Sequence, residues 1–331
     1  MKMKLEDART LAIRALRGLK FSQADAEITA DHLIDAATRG VTFGSLARIL
    51  AIGERIEEEG DRRQPIAIVR ETPSTAVMDG GDNVGYVVAH HATTLAIQKA
   101  KTQGIGIVAA NNTYYSGLFS YYMEMATREG LIAFAIGNCS AMVAPVGAAE
   151  ARLGTNPIAF GFPSEGDPVI WDIGTAAMMH GDVVLHRRIG KALPEGVAID
   201  ANGLPTRDPV EALAGAIRTW GGHRGSGLSV SIQMLAILCG GPVLPVGLKE
   251  FGYLVVVVDP ALFLPGGEYR SRVSELAEVI RSARPADPDQ PVRMPFERSA
   301  QTRRRAREED LIEVPDAVHA GLLEVAKRAM A

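Results

Sequence analysis

Gly154-Thr155-Asn156-Pro157 sets a flexible residue, a hydroxyl, an amide and a rigid turn former directly before the apolar run Ile158-Ala159-Phe160, which reads as a strand. Such a turn aims polar groups at the edge of a sheet. Taken alone, it fits a tight structural turn as well as a ligand contact. A looser signal is Gly104-Ile105-Gly106-Ile107-Val108-Ala109, which matches the form GxGxxA. A nucleotide fingerprint needs a strand, then the glycine turn, then a helix whose N-terminus meets the pyrophosphate. Here the pattern places a helix before the glycines and a strand after them, so a Rossmann reading is rejected. His90-His91 falls at adjacent positions of an expected helix, off a common face, which argues against a metal pair. Cys139 and Cys239 stand in unrelated contexts and suggest neither a disulfide framework nor a cysteine metal site.

The chain of 331 residues is 47% hydrophobic and carries a formal charge of −4. That is room for an enzyme-sized core with no overall basic field for nucleic acid. Arg303, Arg304, Arg305 and Arg307 form a local basic cluster, but Glu308, Glu309 and Asp310 follow directly, the pattern of a solvated helical face. The first residues, MKMKLEDARTLAIRALRGLK, spread charges through their apolar positions, unlike a secretory signal, and the longest apolar runs fall short of a membrane span. A cytoplasmic protein without membrane or nucleic-acid partners is expected.

Helices must position the first sixty residues. Ser22 and Asp25 make a capping pattern, Ile28, Leu33 and Ile34 continue an apolar face, and Gly40 can end that helix. A further helix is expected over residues 46–59. Pro65 opens a change of character, with short strands expected at 66–70 and 75–78. Helices at 87–102 and 117–128 then lead into strands at 105–109 and 131–136, which argues for an α/β layer architecture. The uninterrupted apolar run at 254–258 predicts a strand buried on both faces. Residues 285–297 read as a surface crossing before a last helix at 317–330.

Further segments follow the turn at Gly154 in order: Asp172-Ile173-Gly174-Thr175, Leu193-Pro194-Glu195-Gly196, Asp200-Ala201-Asn202-Gly203-Leu204-Pro205-Thr206-Arg207-Asp208-Pro209 and Gly221-Gly222-His223-Arg224-Gly225-Ser226-Gly227-Leu228. Together they resemble the malate/L-lactate dehydrogenase family, which lacks the usual dinucleotide fingerprint and includes ureidoglycolate dehydrogenase, diketogulonate reductase and the cyclic ketimine reductases. The resemblance is strongest over residues 104–228 and traceable at 39–49 and 253–263. It implies a non-Rossmann α/β mixed fold with an N-terminal helical part, an NAD(P) cofactor and assembly as a homodimer. The expected division is a helical part at 1–62, a mixed, discontinuous cofactor- and substrate-binding region at 63–284, and a C-terminal crossing and helix at 285–331 that packs back on the N-terminal part.

The resemblance also assigns residues. The family pattern Arg-Gly-x-x-Ser-His-Gly-x-x-Arg meets Arg39-Gly40-Val41-Thr42-Phe43-Gly44-Ser45-Leu46-Ala47-Arg48 here, so Phe43 and Gly44 replace the serine and histidine while Arg48 remains to meet a substrate carboxylate. The pattern Asn-His-Phe-Gly meets Asn112-Thr113-Tyr114-Tyr115-Ser116-Gly117, which puts Tyr115 at the acid/base histidine position, with Tyr114 and Thr155 as further substrate contacts. A phenol, with an unperturbed pKa of about 10, is a weak acid at neutral pH; a packing role for Tyr115 stays open. His180 and His223 lie beside family motifs and could supply a relocated acid, or be ordinary surface or core histidines.

Cofactor contacts implied by the resemblance are Ser116 and Gly117, the pair Asn138 and Cys139, then Gly154, Thr155 and Asn156, then Asp172, Gly174 and Thr175, and Arg224 in place of a usual lysine. The triplet His186, Arg187, Arg188 could grip a 2′-phosphate, which favours NADPH over NADH, or it could be simply exposed. Reduction of a ketone develops an alkoxide that must be protonated, whereas an iminium already carries its proton. A site without the two histidines therefore suits reduction of a small 2-imino carboxylate, such as a cyclic ketimine, or of a 2-oxo carboxylate. The alternatives are a 2-hydroxy acid dehydrogenase of malate or lactate type, and a homologue that binds nucleotide without turnover.

Overall fold

The computed structural model describes residues 1–41 and 44–328. Thr42 and Phe43 of the first motif, and Met330 at the expected end of the last helix, lie outside the described residues. The chain divides into two compact units, Gln64–Arg270 and Met1–Arg63 with Ser271–Ala331. It is a mixed α/β protein. Among the described residues no helix is long and apolar enough to cross a membrane.

The Gln64–Arg270 unit is built on a seven-stranded sheet in the order Ala67–Glu71, Thr75–Val84, Ile105–Tyr114, Phe251–Val258, Ile132–Gly137, Ile158–Phe162, Val169–Ile173. Only Thr75–Val84 and Ile105–Tyr114 run parallel; every other neighbouring pair is antiparallel. Phe251–Val258 is buried almost throughout, as its apolar run predicts, because both faces of this central strand are covered. One face carries the helices Gly85–Gln103 and Phe119–Arg128. The Tyr253 hydroxyl on that face lies 3.0 Å from the Thr93 hydroxyl, and its ring meets Phe119 edge-on at 5.2 Å. On the other face Ala109, Ile136, Ile158 and Leu254 pack with Ile232, Ala236 and Cys239 from the helix His223–Ala236 and the turn after it.

The glycines of the GxGxxA string serve this packing. Gly104 ends the helix Gly85–Gln103 in the left-handed region at φ 80°, its N–H donating to the Ala100 carbonyl. A Cβ on Gly106 would lie 2.0 Å from the Ala96 carbonyl oxygen, so that glycine lets the strand lie against the helix. Neither glycine opens a helix N-terminus. A smaller four-stranded sheet joins Pro205–Thr206, Ala198–Ile199, Ala216–Arg218 and Val143–Ala144 around a core of Val143, Leu153, Val183, Leu193 and Ile217.

In the second unit the helix Leu5–Gly18 buries Ala8, Leu11, Ala12, Ala15 and Leu16, a single stripe at helical spacing. The helix Gln23–Thr38 begins at Ser22, whose hydroxyl accepts from the Asp25 N–H at 3.1 Å, and Gly40 follows it at φ 80°. Ala47–Glu59, Glu297–Glu309, Asp316–Lys327 and most of Glu268–Arg281 add to the helical part, and Lys2–Lys4 pairs antiparallel with Leu311–Glu313.

The arginine cluster differs from the solvated face that its charges predict. Arg304 and Arg305 are exposed, but Arg303 turns inward, and with Arg307 it reaches the buried Asp35 at 3.1 and 3.5 Å. Arg39, buried itself, lies 2.5 Å from the other oxygen of Asp35 and stacks over the Phe296 ring at 4.3 Å. One carboxylate thus balances two cations on the helix Glu297–Glu309 and a third at the end of its own helix. Replacing Asp35 with Ala takes the carboxylate from beside the buried Arg39, and the expected loss is about 3–5 kcal/mol of unfolding free energy in urea titration. A loss below about 1 kcal/mol would show that the network contributes nothing to stability.

Candidate functional site

The strand Ile105–Tyr114 delivers the first candidate group. Tyr114 is fully buried at its end, and the chain then turns through Tyr115 at φ 54°, Ser116 and Gly117 at φ 72°. A bulky side chain in the left-handed region costs about 1–3 kcal/mol, so the surroundings must hold Tyr115 there. Three contacts do so. A Cβ on Gly85 would lie 2.8 Å from the Ser116 Cα, so a glycine is required where the helix Gly85–Gln103 begins. Tyr122 donates its hydroxyl to the Ser116 carbonyl at 2.7 Å. Burial, with Tyr253 and Tyr86 close by, pushes the Tyr122 phenol well up, so it keeps the proton it donates. Finally the Ser120 N–H, in the first turn of Phe119–Arg128, donates to Asp172 Oδ2 at 2.8 Å.

The turn before Ile158 forms a second group. A Cβ on Gly154 would lie 2.8 Å from both the Cys139 carbonyl oxygen and sulfur, so only glycine fits. Thr155 donates its N–H to the Cys139 sulfur at 3.4 Å and accepts at its carbonyl from the Thr175 N–H at 2.8 Å and hydroxyl at 3.0 Å. Burial raises the Cys139 thiol, so it remains a neutral acceptor rather than a nucleophile. Asn156, fully buried at φ 35°, donates its amide to the Ser229 carbonyl, the Ser229 hydroxyl and the Gln233 side chain at 3.0–3.1 Å, and its Oδ1 has no hydrogen-bond partner among the described residues. Asn138 Oδ1 accepts from the Gly252 N–H at 2.7 Å and extends the sheet beyond the end of its strand.

Around Gly174 several segments converge. Its carbonyl accepts from the Trp220 indole N–H at 2.8 Å, and the Met179 sulfur lies 3.1 Å from where a Cβ would stand. His180 follows Met179 directly, and Trp220 leads through Gly221 and Gly222, both at φ 61°, to His223 and Arg224. His223 and Arg224 open the helix His223–Ala236, which has no side-chain cap and no acidic residue in its first turn. The Arg224 guanidinium at the positive end of a helix adds to the positive potential there, a setting that suits a phosphate. These groups fit a dinucleotide.

The structure therefore brings Asn138, Cys139, Gly154, Thr155, Asn156, Asp172, Gly174 and Thr175 into one bonded cluster, with the loop 115–117 fastened to it through Asp172. His186, Arg187 and Arg188 occupy the last turn of the helix His180–Arg188, with both arginines exposed and His186 Nδ1 3.1 Å from the Ala192 carbonyl. Arg48, half-buried, stands in the first turn of Ala47–Glu59 in the other unit. Sequence reasoning missed Trp220, Ser229, Gln233 and Tyr122. For Ser229 and Gln233 a signal existed: polar residues four apart on a stripe shared with Ile232 and Ala236.

A model of the malate/L-lactate dehydrogenase family matches residues 3–323. The chain belongs to that family. It is an NAD(P)-dependent oxidoreductase. Among its relatives, an L-sulfolactate dehydrogenase of Methanocaldococcus jannaschii is 35% identical over 296 residues, 87% of this chain and 86% of that protein. A Delta(1)-pyrroline-2-carboxylate/Delta(1)-piperideine-2-carboxylate reductase of Pseudomonas aeruginosa is 31% identical over 351 aligned residues, 98% of each chain. The solved sulfolactate dehydrogenase from Methanocaldococcus jannaschii superposes with a TM-score of 0.89 at 32% identity, covering 100% of this chain and 98% of that one.

Proposed function

We propose that this family member reduces small 2-imino carboxylates of the cyclic ketimine type, and 2-oxo carboxylates less readily, with NADPH preferred over NADH. The observation that carries the reading is Tyr115, held in a strained conformation where the family pattern places an acid/base histidine. A cyclic imine acid is also the named substrate type of the Pseudomonas aeruginosa relative. When bound, the dinucleotide supplies the hydride that reduces the carbon beside the carboxylate. Arg48, the arginine that the family pattern keeps, would be the guanidinium that meets that carboxylate. The start of His223–Ala236, with Arg224, would hold a phosphate, and the Thr155 and Gly174 backbones hold the chain around it. For a ketone the Tyr115 hydroxyl would have to deliver a proton to the developing alkoxide. An iminium makes no such demand.

A second reading, oxidation and reduction of 2-hydroxy and 2-oxo acids, draws support from the sulfolactate and malate dehydrogenases among the relatives, and from the placement of His180 next to Met179, which lies against Gly174, and of His223 three residues after Trp220, which donates to the Gly174 carbonyl. A homodimer is part of the proposal: Met234, Leu235, Ile237, Leu238, Val243 and Val246 expose apolar side chains along one continuous segment, a surface that a second copy could cover.

The direct test follows reduced-cofactor absorbance with a panel of cyclic ketimine carboxylates, 2-oxo acids with amines, and 2-oxo acids alone. Faster turnover of the ketimines is expected. Turnover of 2-oxo acids alone would move the protein to the second reading, and cofactor binding without any turnover would contradict both.

Cofactor preference is tested at the basic triplet. Replacing Arg187 and Arg188 together with Ala should weaken NADPH by about tenfold or more and leave NADH nearly unchanged, since only the 2′-phosphate differs. Equal weakening of both would show that the triplet does not discriminate between the two cofactors.

A further inference from the structure

The family resemblance makes Asp172 a cofactor contact, yet its carboxylate is engaged elsewhere. Asp172 lies on the edge strand Val169–Ile173, 52 residues beyond the N–H that it accepts. That N–H belongs to Ser120, the second residue of Phe119–Arg128, whose own N-cap position is Leu118, a residue without a capping side chain. A helix start that cannot cap itself is capped from another strand. The same helix carries Tyr122, whose hydroxyl holds the Ser116 carbonyl at 2.7 Å. Residues 115–117 are thus suspended between the buried Tyr114 and a helix whose first turn hangs on Asp172. Three residues further along, Thr175 donates twice to the Thr155 carbonyl, while between them Gly174 accepts from Trp220.

We propose that Asp172 is a positioning residue: it caps Phe119–Arg128 from the edge strand and thereby fixes the loop bearing Tyr115, and it makes no contact with the cofactor. The segment from Asp172 to Thr175 then sets the distance between the loop 115–117 and the turn at Thr155. An ionised carboxylate is the strongest acceptor for this place, because it also meets the positive end of the helix. The proposal rests on the reading of Tyr115 as a residue of the active site, but its structural half stands without it.

The test compares Asp172→Ala and Asp172→Asn with the unmodified protein. In hydrogen exchange of the cofactor-free protein, Asp172→Ala should speed exchange of the amides of residues 118–121 by about 2- to 30-fold, the range of a lost helix cap, and Asp172→Asn, which keeps an acceptor oxygen, should restore most of the protection. In the complete enzyme, kcat with the best substrate of the panel should fall on the order of 10- to 100-fold in Asp172→Ala, as misplacement of a reacting group does, with partial rescue in Asp172→Asn. The Kd for NADPH should stay within about twofold, the difference between a positioning residue and a ligand. Should Asp172→Ala fail to fold, Asp172→Asn alone decides, with faster exchange and lower kcat at unchanged Kd expected. Unchanged exchange with a weakened Kd in either variant would overturn the proposal and return Asp172 to the cofactor. If no substrate of the panel turns over, the functional reading fails while the exchange measurement still judges the cap.

Discussion

Everything around the candidate site depends on a turn that tolerates no side chain at its first position. At Gly154 the space for a Cβ is filled by the carbonyl and sulfur of Cys139 and by the Asn156 amide oxygen. That close approach lets Thr155 present its carbonyl to Thr175 and lets Asn156 turn its amide into the interior, toward Ser229 and Gln233. Through these bonds the turn ties an edge strand to the helix whose N-terminus is left open for an anion. The left-handed φ of Asn156 is the local cost, and three amide hydrogen bonds offset it.

Carboxylates organise the two units in the same manner at different places, the buried Asp35 in one and the half-buried Asp172 in the other. Asp35 gathers Arg39, Arg303 and Arg307, and so joins helices far apart in the chain. Asp172 meets a backbone N–H and the positive end of a helix instead of a cation. In both cases one acidic side chain meets groups from a distant segment, Arg303 and Arg307 at Asp35 and the Ser120 N–H at Asp172. The consequence differs: around Asp35 it is stability, and around Asp172 it is the placement of a loop.

How far the sequence could be read follows from where each signal resides. Ser22 with Asp25, Gly40 and the apolar run at Phe251–Val258 carry their signals locally, and the structure places a cap, a helix end and a doubly covered strand there. The strand expected to stop at Ala109 continues to Tyr114, because Asn111 and Asn112, which look like loop residues, find the Cys239 carbonyl and the Asp79 carboxylate. No local pattern announces partners so remote. Strands of two residues, such as Ala198–Ile199, are too short to show alternation, and the inward turn of Arg303 is set by Asp35 across 268 residues. In the site, the ordered motifs marked which residues assemble, whereas the work of Asp172, Asn138 and Asn156 became visible only with their partners.

The central claim is that this active site delivers hydride to a carbon that needs no proton donor of its own. Tyr115→Phe tests it most directly, because the ring that shapes the loop is kept and only the hydroxyl is removed. With a cyclic ketimine carboxylate and NADPH, the account predicts a kcat within about threefold of the unmodified enzyme, far from the ~10²–10⁴-fold contribution of a general acid. A fall of about a hundredfold or more, with cofactor affinity intact, would make Tyr115 the proton donor and contradict the account.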